Sequence, residues 1–186
     1  MTHEQTRVVF LDRDGVLNTR FPEYISSWNQ YVWYPWTFKS LRLLHKAGAR
    51  VFVFTNQSAV GRGYFPEHKL TGIHTRLRER LSEAGIELTG IYYCPHTPED
   101  RCDCRKPKPG MLLQAASEYN IDLSEAWVIG DYMDDIRAGK AVKAHTILLK
   151  CGRRDNRITG DDIPEVVSEN LLDGAKHIVQ YWENTV

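Results

Sequence analysis

The sequence predicts an α/β fold: a Rossmann-like, doubly wound parallel sheet with helices on both faces. Short runs of apolar, β-prone residues recur along the chain, and amphipathic helical stretches fall between them. The runs are apolar throughout instead of alternating, as strands buried on both faces are. They are Val8–Leu11, Val51–Phe54, Ile91–Cys94, Trp127–Ile129 and Thr146–Leu149. Right-handed crossovers between parallel strands then gather the functional loops at one edge of the sheet.

Taken in order, the first strand ends in Asp12-Arg13-Asp14-Gly15, where the glycine frees the backbone to turn. Residues 21–35 fit neither a helical nor a strand period and are rich in Tyr and Trp. A loop of that length either walls a site or plugs the sheet edge with its aromatics. Leu41, Leu44 and Ala47 form an amphipathic stretch that closes at Gly48, and His68–Ala84 is closed by Gly85. Pro109–Tyr119 opens on a proline suited to a first helical turn. Asp134–Val142 follows the fourth strand, and Glu169–Trp182 forms the last helix.

At 186 residues, one domain over 1–186 is expected, with enough chain to bury a core. The 24 basic and 24 acidic side chains cancel, so no basic field for nucleic acid is expected. No apolar run approaches a membrane span, and Met1–Arg7 lacks an apolar secretion segment. A cytoplasmic, monomeric protein with no membrane partner is the expectation.

Two carboxylates one residue apart repel each other, so Asp12 and Asp14 persist best beside a divalent cation or with one of them protonated. The alternative is an acidic turn with Asp14 as a cap. Thr55-Asn56-Gln57-Ser58 after the second strand offers a hydroxyl and amides for phosphate oxygens, and is equally an ordinary turn sequence. Gly61-Arg62-Gly63 reads as an anion clamp or an exposed loop charge. Arg105-Lys106-Pro107-Lys108 is either a solvated basic run or the source of a lysine that balances the aspartates. Gly130-Asp131 ends the fourth strand. Asp135 lies four residues on, where a helix start would share its face with Asp131. Cys94, His96, Cys102 and Cys104 are the donor set of a closed structural zinc site, or else buried cysteines with a stray histidine. Cys151 reads as a plain thiol.

Asp-Arg-Asp-Gly-Val-Leu-Asn, Thr-Asn-Gln-Ser, Cys-Asp-Cys-Arg-Lys-Pro and Gly-Asp-x-x-x-Asp stand in that order across roughly residues 8–150. Together they resemble the haloacid dehalogenase superfamily of phosphatases. More narrowly they resemble its branch of D,D-heptose 1,7-bisphosphate and histidinol-phosphate phosphatases, which carries a zinc loop and lacks a large cap domain. The resemblance implies Asp12 as nucleophile, Asp14 as acid/base, and Thr55 and Lys106 on the transferring phosphoryl group. It also implies Mg2+ on Asp12, the Asp14 carbonyl and Asp131 with Asp135 behind, and Zn2+ on the Cys/His set. Asn56, Gln57, Arg62 and Arg105 would meet the substrate, a small phosphorylated metabolite. Gly-Arg-Gly and Lys-Pro-Lys-Pro-Gly-Met are similar to the heptose enzymes, whereas the five-residue gap from His96 to Cys102 is closer to the histidinol-phosphate enzymes. Trp36, which follows Pro35, departs from the small residue usual at that place. A non-catalytic zinc-stabilised binding module is the rival reading, and the complete set of catalytic side chains argues against it.

Overall fold

The computed structural model describes residues 7–152, 158 and 162–185. In chain order they form β1 (Val8–Leu11), α1 (Thr37–Lys46), β2 (Arg50–Asn56), α2 (Glu67–Ser82), β3 (Gly90–Cys94) and α3 (Gly110–Tyr119). There follow β4 (Trp127–Gly130), α4 (Met133–Ala141), β5 (His145–Leu149), β6 (Val166–Ser168) and α5 (Leu171–Asn184).

The six strands make one sheet in the order β3-β2-β1-β4-β5-β6, and every neighbouring pair is parallel. Side chains along a strand alternate between faces, so each buried strand feeds two cores. Val9 and Leu11 of β1 pack with Val51, Val53 and Ile129 beneath α1, α2 and α5. Val8 and Phe10 turn the other way, with Phe52, Phe54 and Val128, onto Met111, Leu112 and Ala115 of α3 and Ala138 of α4. The Phe10 and Phe52 rings stack at 5.0 Å between centroids, as their paired register positions require.

The helix ends follow the expected chemistry. Gly48 and Gly85 sit beyond α1 and α2 at φ +78° and +72°, the left-handed conformation in which glycine carries no penalty. Most boundaries shift by a residue or two from expectation, and two differences have a clear cause. The last helix starts at Leu171, because the Asn170 side chain accepts from the amides of Leu172 and Asp173. The edge strand β6 has no counterpart among the predicted runs: three residues carry too little alternation to register as a strand.

The segments between β1 and α1 and between β3 and α3 hold one short 3-10 turn each, Trp28–Gln30 and Pro98–Asp100, and no cap domain stands among the described residues. No described helix is long and apolar enough to cross a membrane. The chain leaves β1 toward β2 on one side, while β4 leads on to β5 on the other. The carboxyl ends of β1 and β4 therefore flank the crevice where ligands bind in such sheets. A backbone bond from Asp12 N to Ile129 O, 3.0 Å, closes the two strands where they end.

Candidate active site

Asp12 leaves β1 and Asp131 leaves β4, and α4 brings Asp135 up beside them. Their carboxylate oxygens lie within 4.8 Å of one another, and all three residues are buried. Gly130 is needed for this approach, since a Cβ there would fall on the Asp135 side chain. Lys106 reaches in from the segment after β3. Its Nζ sits 3.0 Å from Asp12 Oδ1 and 2.6 Å from Asp135 Oδ1, and donates to the Phe54 carbonyl at 2.9 Å. The basic run thus divides: Lys106 is 4% exposed, whereas Lys108 is spent on exposed Asp103. Burial pushes the Asp135 carboxyl up to about 7, with Asp12 and Asp131 adding to the rise against the pull of Lys106. Burial raises Asp131 as well. Asp134 turns away from the cluster to Arg137, 3.3 Å.

Asp14 faces four donated hydrogen bonds: Arg13 Nε at 3.1 Å, Arg13 Nη2 at 2.8 Å, Asn18 Nδ2 at 2.9 Å and Gln57 Nε2 at 2.8 Å. Burial alone would raise its pKa, but the Arg13 charge and these donors outweigh burial and hold it at about 2. Asp14 therefore rests as a carboxylate. Gly15, at φ +97°, turns the chain directly after Asp14, and a side chain there would strike Asp131.

The loop after β2 behaves differently from its sequence-based reading. Thr55 is buried at the site with Gln57 Nε2 donating to its hydroxyl at 3.0 Å. Asn56, expected at the substrate, instead uses both ends of its amide on the Lys106 backbone at 3.1 Å. Gln57 is likewise committed, accepting from Arg13 and donating to Asp14 and Thr55. Each amide sits in a gap between loops whose polar groups need partners, so these side chains hold the site together from inside. Arg62 is exposed on a loop pinned to the next one by Gly61 N donating to Pro95 O, 2.9 Å.

Three site residues had not been expected. Arg20 grips both oxygens of Asp131, with Nε and Nη2 each at 2.6 Å, and nothing in its local sequence signals this. Arg13 is fully buried, and His74 of α2 meets it at 3.1 Å. A histidine among Leu70, Ile73, Leu77 and Leu81 on the apolar face of a helix was the available signal. Asp12, Asp14, Asp131 and Asp135 face Arg13, Arg20 and Lys106, so four carboxylates, once all are ionised, exceed the three cations by one charge. That balance, with hard oxygen donors converging, suits a divalent cation.

Cys94, His96, Cys102 and Cys104 also converge. The sulfurs of Cys94 and Cys104 each lie 3.5 Å from Cys102 Sγ, and His96 Nδ1 lies 3.7 Å from Cys94 Sγ and 3.2 Å from Cys104 Sγ. Ligands around tetrahedral zinc would stand about 3.5–3.8 Å apart, so the set fits such an ion. The same loop carries Arg105, whose Nη1 donates to His96 O at 3.2 Å. Arg101, Arg105, Lys106 and Lys108 line a cleft of about 530 Å³, with Asp134 on its rim.

The aromatic loop plugs the sheet edge, as one of its two readings expects, and two further aromatics line a cleft that no carboxylate of the site enters. Ile25 and Tyr31 are buried with Trp28, Trp33 and Trp36 against the main core, and the Trp28 and Tyr31 rings stack at 4.8 Å. Phe21 and Tyr24, by contrast, line a second cleft of about 510 Å³ with Tyr64 and Phe65.

A HAD-hydrolase-like family model matches residues 103–174. The D-glycero-beta-D-manno-heptose-1,7-bisphosphate 7-phosphatase of Pseudomonas aeruginosa is 43% identical over 175 residues, 93% of this chain and 98% of the relative. Its namesake in Neisseria meningitidis is 37% identical, covering 96% of this chain and 97% of its own. Among solved structures, the D,D-heptose 1,7-bisphosphate phosphatase of B. bronchiseptica, complexed with magnesium and phosphate, superposes with a TM-score of 0.88. It is 32% identical and covers 95% of this chain and 99% of that one. The chain belongs to the HAD-like hydrolases, as its motifs imply, and within them to the phosphatases.

Proposed function

We propose that this phosphatase removes the 7-phosphate from D-glycero-D-manno-heptose 1,7-bisphosphate, with Mg2+ at the carboxylates and Zn2+ in the Cys/His loop. The carrying observation is the Asp12–Lys106–Asp135 ion pair beside an Asp14 ringed by donors, a buried nucleophile next to a proton carrier. Asp12, Asp131 and the Asp14 carbonyl would hold Mg2+, with Asp135 behind them fixed by Lys106 and by the Tyr132 amide at 3.0 Å. When bound, Mg2+ polarises phosphoryl oxygens and offsets their charge.

Asp12 attacks phosphorus, the bond from phosphorus to the sugar oxygen breaks, and an aspartyl-phosphate forms. Asp14, a carboxylate at rest, takes the proton of the bound phosphate monoanion and delivers it to the departing sugar oxygen. Water then attacks the aspartyl-phosphate, Asp14 takes its proton, and inorganic phosphate leaves with Asp12 restored. The Thr55 hydroxyl and the Lys106 ammonium hold the transferring group from the β2 side. The cleft lined by Arg101 and Arg105 supplies cations for the second phosphate of a bisphosphate.

The test is turnover of heptose 1,7-bisphosphate beside histidinol phosphate, with and without Mg2+. Preferred, Mg2+-dependent release from the heptose supports the reading, and preference for histidinol phosphate replaces the substrate. Asp12→Asn should keep the fold and lose essentially all turnover, because an amide does not attack phosphorus. Activity of that variant within about tenfold of wild type would remove the covalent mechanism.

A further inference from the structure

We infer that His74 is a positioning residue for proton transfer by Asp14, acting through the buried guanidinium of Arg13; the inference rests on the phosphatase mechanism above. Arg13 is planar, fully buried and hydrogen-bonded on two sides. Nε and Nη2 meet Asp14, and Nη2 also meets Gln57 Oε1 at 3.0 Å. Its remaining edge turns to α2, where Nη1 lies 3.1 Å from His74 Nε2.

Arginine has only donors, so His74 Nε2 must accept and the imidazole proton must sit on Nδ1. Burial first, and then the Arg13 charge, keep this imidazole neutral, with its pKa lowered to about 3. His74 is 6% exposed, and its ring lies 5.4 Å from that of Tyr93 on β3. An apolar residue would fill the same space. It would leave a buried Arg13 N–H unpaired and the guanidinium free to rotate away from Asp14. The histidine thus extends control of the proton carrier from the β1 loop to the rigid frame of α2.

A role in proton transfer has a signature that packing lacks. A sugar alkoxide leaves only with a proton, whereas p-nitrophenolate leaves without one. In a single turnover, His74→Leu should therefore slow release of the sugar by on the order of tenfold or more, with substrate binding little changed and release of p-nitrophenolate nearly retained, because only this first step separates the two esters. His74→Gln, whose amide oxygen can accept from Nη1, should recover most of the loss. Nitrogen NMR of the wild-type imidazole tests the hydrogen bond without any variant. Protonated Nδ1 and bare Nε2 are expected between pH 5 and 8. Equal losses in the rate of leaving-group release from both esters, a His74→Gln as impaired as His74→Leu, or a protonated Nε2 would each overturn the inference. Wild-type protein that hydrolyses neither ester would instead overturn the proposed activity.

Discussion

Arg105 and Lys106 are neighbours with opposite fates. Lys106 is drawn under the loop by Asp12 and Asp135, while Arg105 stays at the surface with one bond to His96 O. Arg105→Ala should therefore act on substrate choice more than on chemistry. A lost charge-assisted contact of about 1.5–3 kcal/mol corresponds to roughly 10- to 150-fold in kcat/KM for a bisphosphate. A small monophosphate ester offers no second phosphate, so it should lose far less, and steady-state kinetics on both substrates checks this. His74 makes a prediction in pH. Its folded pKa, about 3, lies below its ordinary value of 6.5, so the unfolded chain binds the extra proton between them. This contribution to stability is complete above pH 6.5 and is lost as pH falls toward 3, at up to about 1.4 kcal/mol per unit. Asp135, raised to about 7, has the opposite sign and loses stability as pH rises through that value. Subtracting the melting curves of His74→Gln from those of wild type between pH 4 and 7 isolates the His74 slope, and His74→Gln should be the flatter of the two on the acid side.

At the scale of elements, the segment after β3 has no regular structure beyond one 3-10 turn, yet it carries both Lys106 and Arg105 to the site. Four metal-type donors converge within it, and Asn56 ties the Lys106 backbone to β2. Cys102→Ser opens a four-coordinate set and should lower bound zinc, measured by elemental analysis, while Mg2+ binding persists. Activity should fall through a raised KM, because the loop loosens before the carboxylates move. Protein purified without added metal that contains no zinc would remove this account. The aromatic loop after β1 shows a similar division of labour within one segment: its tryptophans build core, and Phe21 and Tyr24 stay at the cleft.

Across the whole molecule, the sheet acts as the rigid frame from which every site residue is hung. Phe52 is fully buried and packs its ring against Phe10 at 5.0 Å and Tyr119 at 5.1 Å, two register positions before Asp12. Phe52→Ala should cost about 3–5 kcal/mol of stability, read as a lowered denaturation midpoint. The kcat of the folded fraction should stay near wild type, since the crevice between β1 and β4 is closed by backbone bonds that this ring does not make.

What the sequence determined by itself was the sheet class, five of the six strands, and the groups that stand at strand ends: Asp12, Asp14, Thr55, Cys94 and Asp131. Strand periodicity and the residues directly after a strand are local properties, and parallel topology places those ends together at one edge. The cysteine and histidine donors were legible for the same reason, lying within eleven residues of one another. The tertiary structure alone decided which polar groups spend themselves inside the protein. Asn56 and Gln57 face inward because Lys106 and Arg13 arrive from distant segments, 50 and 44 residues away in sequence. Arg20 finds Asp131 across 111 residues, and Arg13 finds His74 across 61. Such pairs follow from strand order and helix docking, which bring together charges that no local pattern relates. Burial then makes each unpaired polar group costly enough that the partners hold.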